Sequence, residues 1–325
     1  MDSQAGDPFR RSAASNGGRC VELSWRSLWL FLRLSRAHFL LGGLLLFGLG
    51  ASIARYLGVR IDTALYLLGQ GLVTFIQAMT HFLNEYYDSE TNEQNENRTL
   101  FSGGSGAIGE GKLPRRVALQ AAIVTLALIA IFASLLLRRG GLSLLAWSLA
   151  LLGFAGAFFY AAPPLRLIGS GYGELVASFV VAGLVPAFAF TLFAGRLHRL
   201  LVMSAAPLIA LHFAMLIALE LPDYANDMKF GKRTLMVRLG WQAAMRMHDT
   251  AILLGVLFLL LAYLYGLPSR VALGSLIALP LALAQIWQMN RIRLGYPARW
   301  QIFTAGAVAL FGLTLYLEMI GYILS

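Results

Sequence analysis

ALYLLGQGLVTFIQAMTHFLNEYYDSETNEQN, residues 64–95, runs as an apolar segment to Tyr87 and then breaks into acids and amides. The apolar part is long enough to cross a bilayer core, which takes about 20 residues of helix. Its polar residues are not scattered: Gln70, Thr74, Gln77, His81, Asn84 and Asp88 step by four and three and so share one helix face. That face belongs in the interior of a bundle. For Gln70, Thr74 and Gln77 the preferred reading is hydrogen bonding between helices. Asp88 differs, because a charge in or beside lipid costs about 3 kcal/mol unless it meets a cavity, a partner or an ion.

The same ending recurs downstream. LELPDYANDMKFGKRTL (219–235) closes another apolar run, and His212, Glu220, Asp223 and Asp227 follow a similar line toward its end. Asn84 to Asp223 and Asp88 to Asp227 are both offsets of 139 positions. Apolar runs recur at 37–57, 64–87, 117–137, 141–162, 172–194, 199–221, 247–266, 271–289 and 301–324. The acidic clusters end the second and the sixth. This predicts an all-α integral membrane protein of nine transmembrane helices around a central cavity, built as a 4+4 parallel repeat plus one helix.

Composition agrees, with 58% hydrophobic residues and only 13% charged. The net charge of +10 does not imply nucleic acid, because the basic residues are spread over short loops rather than gathered in a stripe. With the N-terminus placed in the cytoplasm, nineteen Lys and Arg fall on that side and seven on the other. The positive-inside rule therefore predicts N-terminus cytoplasmic, C-terminus outside and both acidic clusters facing the cytoplasm, as in a bacterial plasma membrane. Residues 1–20 read as a polar tail without a cleavable signal. Residues 21–36 read as an interfacial amphipathic helix, with an extension of the first span as the alternative, and residues 37–325 as a single domain. Cys20 is the sole cysteine, and His38, His81, His198, His212 and His248 show no paired metal-ligand spacing.

Hard oxygen ligands without thiolate or imidazole suit Mg2+, which keeps waters and is completed by substrate phosphates. Arg98, Lys112, Arg115, Lys229, Lys232 and Arg233 lie in the same two loops, placed to neutralise diphosphate. Surface salt bridges are the plainer alternative. GSGAIG (104–109) matches a dinucleotide fingerprint in form, but no strand precedes it. Its glycines are read instead as a flexible flap over the diphosphate, with a passive connector as the alternative.

With these motifs in view the chain resembles the UbiA superfamily of intramembrane prenyltransferases. NEYYDSETN (84–92) is similar to the family's NDxxDxxxD motif and DYAND (223–227) to its DxxxD motif. NRTLFSGGSGAIGEGKL (97–113) and YAAPPLRLIGSGYGEL (160–175) look like loops of the branch that prenylates dihydroxynaphthoate for menaquinone. The resemblance implies Mg2+-dependent transfer of an isoprenyl group from a polyprenyl diphosphate to an aromatic acceptor within membrane lipid. It implies metal ligands at Asn84, Asp88, Asp223 and Asp227, and diphosphate contacts at Arg98, Lys229, Lys232 and, more weakly, Lys112. It assigns Tyr160 to an allylic cation or to interfacial anchoring, Arg166 to an acceptor carboxylate or to the inside charge, and Glu220 to ligand orientation or proton acceptance. Glu174 is read as a helix cap, and Glu318 stays outside the site.

Two positions depart from the pattern. Glu85 stands where the family has Asp and Asn92 where it has the last Asp, so either the Asn92 amide ligates or Glu90 or Glu93 substitutes. Other acceptors remain open, namely hydroxybenzoate, homogentisate, haem or lipid. So does a non-catalytic prenyl-lipid binding or transport protein.

Overall fold

The structure is a computed structural model that describes residues 25–325. The tail 1–20, with Cys20, and residues 21–24 of the expected interfacial helix lie outside the described residues. Every named element is helical: α1 Trp25–Leu34, α2 Ala37–Tyr56, α3 Thr63–Tyr87, α4 Ser89–Glu93, α5 Arg115–Arg139, α6 Leu144–Ala161, α7 Gly173–Ser178, α8 Val185–Ala194, α9 Arg199–Glu220, α10 Tyr224–Lys229, α11 Leu235–Leu239, α12 Trp241–Leu264, α13 Ser269–Ser275, α14 Leu279–Arg293 and α15 Trp300–Ile323.

Among the described residues, eight helical segments are long and apolar enough to cross a membrane. The remaining expected span, α3, is as long as the others but carries the polar stripe that lowers its hydropathy. It packs between α2, α5 and α6 as the second member of the bundle. The expected interfacial helix is separate from the first span. Arg36 adopts a left-handed backbone (φ 48°) between α1 and α2, a conformation that a side chain disfavours by roughly 1 kcal/mol or more. Trp25 and Trp29 stand exposed on α1 while Leu34 is buried.

The two most extensive helix pairings are α3 with α5 and α9 with α12, which are equivalent under a four-helix offset. Each half builds its own apolar core, and α2 and α8 contribute to both. A Cβ at Gly50 would lie 2.2 Å from the Pro186 carbonyl oxygen, so glycine permits the close approach of α2 and α8. Pro186 has no N–H for the preceding turn, and the fifth span widens into a π turn over Phe179–Leu184 just before it. The eighth span is likewise broken, by a 3-10 turn at Leu276–Ala278. Past Glu220 the sixth span continues through a 3-10 turn at Leu221–Asp223 into α10, so its acids are carried on helix rather than on a loose loop.

Candidate active site

Both acidic segments emerge at one end of the bundle and meet there. Asn226 Nδ2 donates to the Thr91 carbonyl (3.0 Å) and Lys229 Nζ to Gln94 Oε1 (3.1 Å), which seams α10 to α4. Beneath this seam lies a cavity of about 520 Å3. Asn84, Asp88, Tyr160, Glu220, Asp223, Asp227 and Lys232 all line it, and its deeper walls are apolar.

Lys232 ties the clusters together. Its Nζ lies 3.0 Å from Asp88 Oδ2 and 4.0 Å from Asp227 Oδ1, and Asp88 also accepts from the Arg166 guanidinium. Burial opposes the charge on Asp88, but Lys232 and Arg166 outweigh it and hold the carboxyl below the usual carboxylate range. Burial likewise opposes the Lys232 charge, and Asp88 with Asp227 reverses that, raising its pKa above the ordinary lysine value. Asp223 lines the cavity and also reaches the loop, accepting from Asn95 Nδ2 (2.7 Å) and Gly103 N (2.9 Å). Gly103 has φ +78°, which suits glycine and turns its N–H onto the carboxylate.

The remaining expected residues are placed differently. Arg98 is occupied within the loop, donating to the carbonyls of Gly103 and Asn92, and it does not line the cavity. Burial lowers the Arg98 pKa from its ordinary value. Lys112 is exposed away from the cavity, and Lys229 is exposed on the α10–α4 seam. Arg166 is engaged with Asp88 and the Tyr87 carbonyl rather than standing free in the cavity for an acceptor carboxylate. The loop expected as a flexible flap is fastened at several points. Arg33 donates to the Ser105 carbonyl (2.9 Å), Arg26 to Gly111 (3.2 Å) and Glu110 N to Glu93 (3.1 Å).

The departures from the motif acquire physical roles. Glu85 is buried and turned from the cavity, pairing with Arg36 (2.5 Å) and accepting from Ser105 N (2.7 Å) and Ser105 Oγ (2.8 Å). It anchors the loop and the strained Arg36 corner. Asn92 lines the cavity, whereas the Glu90 side chain is 86% exposed and Glu93 is turned to the Glu110 N–H. Neither glutamate replaces the missing acid in this arrangement. Glu174 is more than a cap: its Oε1 accepts from Leu235 N (2.9 Å), and its Oε2 is buried without a hydrogen-bond partner. Sequence spacing gave no signal for the Leu235 contact, since the two residues lie 61 positions apart on different helices.

Glu85→Gln is expected to leave the Arg36 and Ser105 anchors incompletely satisfied. Removing one partner of a buried pair costs about 3–5 kcal/mol, so the thermal unfolding midpoint in detergent should fall and proteolysis within residues 97–113 should accelerate. An unchanged midpoint and unchanged cleavage would contradict the anchoring role.

Among the described residues no three His, Cys, Asp or Glu side chains close into a ready metal cage. The donor chemistry nevertheless fits Mg2+. Asn84, Asp88, Asp223 and Asp227 present oxygens to one cavity, and Asn84 Oδ1 is buried without a partner. Mg2+ needs only one or two carboxylates besides water and phosphate.

A membrane-embedded helical bundle with an oxygen-rich, lysine-bridged mouth above an apolar chamber is built for an amphiphile with an anionic head. The chain belongs to the UbiA prenyltransferase family, whose profile matches residues 44–315. It is an intramembrane prenyltransferase. It is 26% identical to a 1,4-dihydroxy-2-naphthoate octaprenyltransferase of Bacillus subtilis (strain 168) over 220 residues, 67% of each chain. Its fold is similar to that of a UbiA homologue from Archaeoglobus fulgidus bound to GPP and Mg2+ (TM-score 0.61, 16% identity, 90% of this chain and 99% of that one). An apo UbiA homologue from Aeropyrum pernix K1 is similar at TM-score 0.64 and 17% identity, covering 88% and 98%.

Proposed function

We propose that this chain transfers an isoprenyl group from a polyprenyl diphosphate to an aromatic acceptor, a dihydroxynaphthoate-type quinone precursor, with Mg2+ as cofactor. The observation that carries this reading is the single cavity joining Asp88, Asp223, Asp227 and Lys232 to apolar walls inside the bundle. The likeness to the Bacillus subtilis enzyme supports the choice of acceptor, and the Archaeoglobus complex supports diphosphate and Mg2+ as ligands. The excess of Lys and Arg on one side supports an N-terminus in the cytoplasm and a C-terminus outside, and the Bacillus subtilis relative supports a bacterial plasma membrane as the setting. Residues 37–325 then form one catalytic domain.

Asn84, Asp88, Asp223 and Asp227 would hold Mg2+, which when bound neutralises charge on the diphosphate leaving group. Lys232 is placed to give its ammonium to the same oxygens. Tyr160 turns an aromatic ring to the chamber, where an allylic cation gains cation–π stabilisation. The apolar walls hold the polyprenyl tail and keep water from quenching that cation. Glu220, with one unpartnered buried oxygen, remains the group on the chamber wall suited to a proton or a polar substituent of the acceptor.

Purified protein in lipid nanodiscs, given polyprenyl diphosphate, Mg2+ and 1,4-dihydroxy-2-naphthoate, should release diphosphate and form a prenylated naphthalene product. A chelator should abolish it. No product across a panel that includes hydroxybenzoate, homogentisate, haem and lipid acceptors, with diphosphate binding intact, would overturn the enzyme reading.

A further inference from the structure

One wall of the chamber has a chemistry that neither the metal nor the diphosphate accounts for. His38 on α2 and His81 on α3 both line the cavity, and the Nε2 of each is buried without a hydrogen-bond partner. Their rings belong to an aromatic cluster. His38 meets Phe101 edge-on at 5.4 Å, Phe39 lies 5.8 Å from His81 at 33°, and Phe39 meets Phe101 edge-on at 6.1 Å. Phe39 and Phe101 line the cavity as well.

Position adds to composition. His81, Asn84 and Asp88 follow one another by three and four residues on the same face of α3. At 1.5 Å per residue, His81 lies about 4.5 Å below Asn84 and about 10 Å below Asp88 along the helix axis. A ring held there would sit next to the carbon from which the diphosphate departs. Leaving a buried polar atom unmatched costs about 1–3 kcal/mol, so hydrocarbon is a poor occupant for this wall. The wall built by α6 and the π turn, with Leu149, Val180 and Leu184, carries no such atoms and suits the tail.

We propose that the α2–α3 wall is the acceptor subsite, where His38 and His81 engage the ring oxygens of a hydroxylated aromatic acceptor lying against Phe39 and Phe101. The proposal rests on the prenyl-transfer reading and names the groups that select its acceptor. Sites that hydrogen-bond a substrate hydroxyl discriminate strongly against analogues that lack it, because the site's own polar atoms are then left unmatched.

Two probes test it on the full chain in nanodiscs: 1,4-dihydroxy-2-naphthoate and its dimethyl ether, with direct binding and acceptor KM measured for the wild type, His81→Phe and His81→Gln. The wild type should bind the dihydroxy probe at least about tenfold more tightly than the ether. His81→Phe should lose that discrimination and raise the acceptor Kd and KM about tenfold, with polyprenyl diphosphate Kd unchanged within about twofold. His81→Gln, which keeps a polar group at the wall, should recover most of the preference and controls for misfolding. Equal losses for both ligands, or no wild-type preference between the two probes, would overturn the subsite. If the wild type prefers the dihydroxy probe in this manner yet forms no product, the transferase reading fails while the subsite stands.

Discussion

Asp88→Ala should lower prenyl transfer by about a thousandfold, the upper end of what removing one pre-set electrostatic contact to a reacting group costs. Asp88 ends the polar face of α3, is 3% exposed, and accepts from both Lys232 and Arg166. Its removal deletes one proposed Mg2+ ligand and also leaves the Lys232 ammonium at the chamber mouth with only Asp227, at 4.0 Å, as a counterion. The loss should therefore appear in kcat as well as in the apparent Mg2+ affinity. Asp88→Asn separates charge from shape: it keeps the volume and one oxygen, and should be nearly as inactive. Turnover followed with radiolabelled polyprenyl diphosphate against a Mg2+ titration decides the matter. An Asn variant with near-normal turnover at ordinary Mg2+ would remove Asp88 from the metal and diphosphate machinery.

Lys232→Met has the second large effect, and it acts on folding as well as on catalysis. Methionine keeps the unbranched stem but removes the charge between two buried carboxylates, Asp88 at 3.0 Å and Asp227 at 4.0 Å. Breaking a buried pair from one side costs about 3–5 kcal/mol, so the unfolding midpoint should drop by several degrees even before substrate is added. The KM for polyprenyl diphosphate should rise, because an ammonium facing its oxygens is gone. Mg2+ supplies the diagnostic control. With Lys232 absent the two carboxylates are free to share a cation, so added Mg2+ should raise the midpoint of the variant more than that of the wild type. Equal stabilisation of the two proteins by Mg2+ would show that Lys232 and the metal do not share these carboxylates.

The sequence made the bundle legible because lipid imposes a strict rule: spans of about 20 apolar residues must close their backbone hydrogen bonds within a helix. The acids at Asp88, Asp223 and Asp227 were legible for the same reason, since charges at a bilayer edge stand out against such a background. The cations were not. Arg98, Lys112, Lys229 and Lys232 all sit in the right loops, yet among these four only Lys232 lines the cavity. Long flexible side chains are directed by their partners, and those partners come from elsewhere in the chain. Glu85 shows the limit most clearly, because one residue beyond Asn84 a helix turns by about 100°, enough to send its carboxylate to Arg36 and Ser105 instead of the chamber.

Sequence alone thus determined the solvent this protein folds in, the helical class, the four-helix offset between its halves, and which acids stand out at the ends of its spans. Those features follow from local periodicity and from the cost of charge in lipid, both of which are written along the chain. The tertiary structure decided which cation joins the acids, that Glu85 and Asp223 hold down the 97–113 loop, that Glu174 accepts from Leu235, and that His38 and His81 share a wall. Each of these depends on the angle at which a side chain leaves its helix and on what a distant helix presents in return.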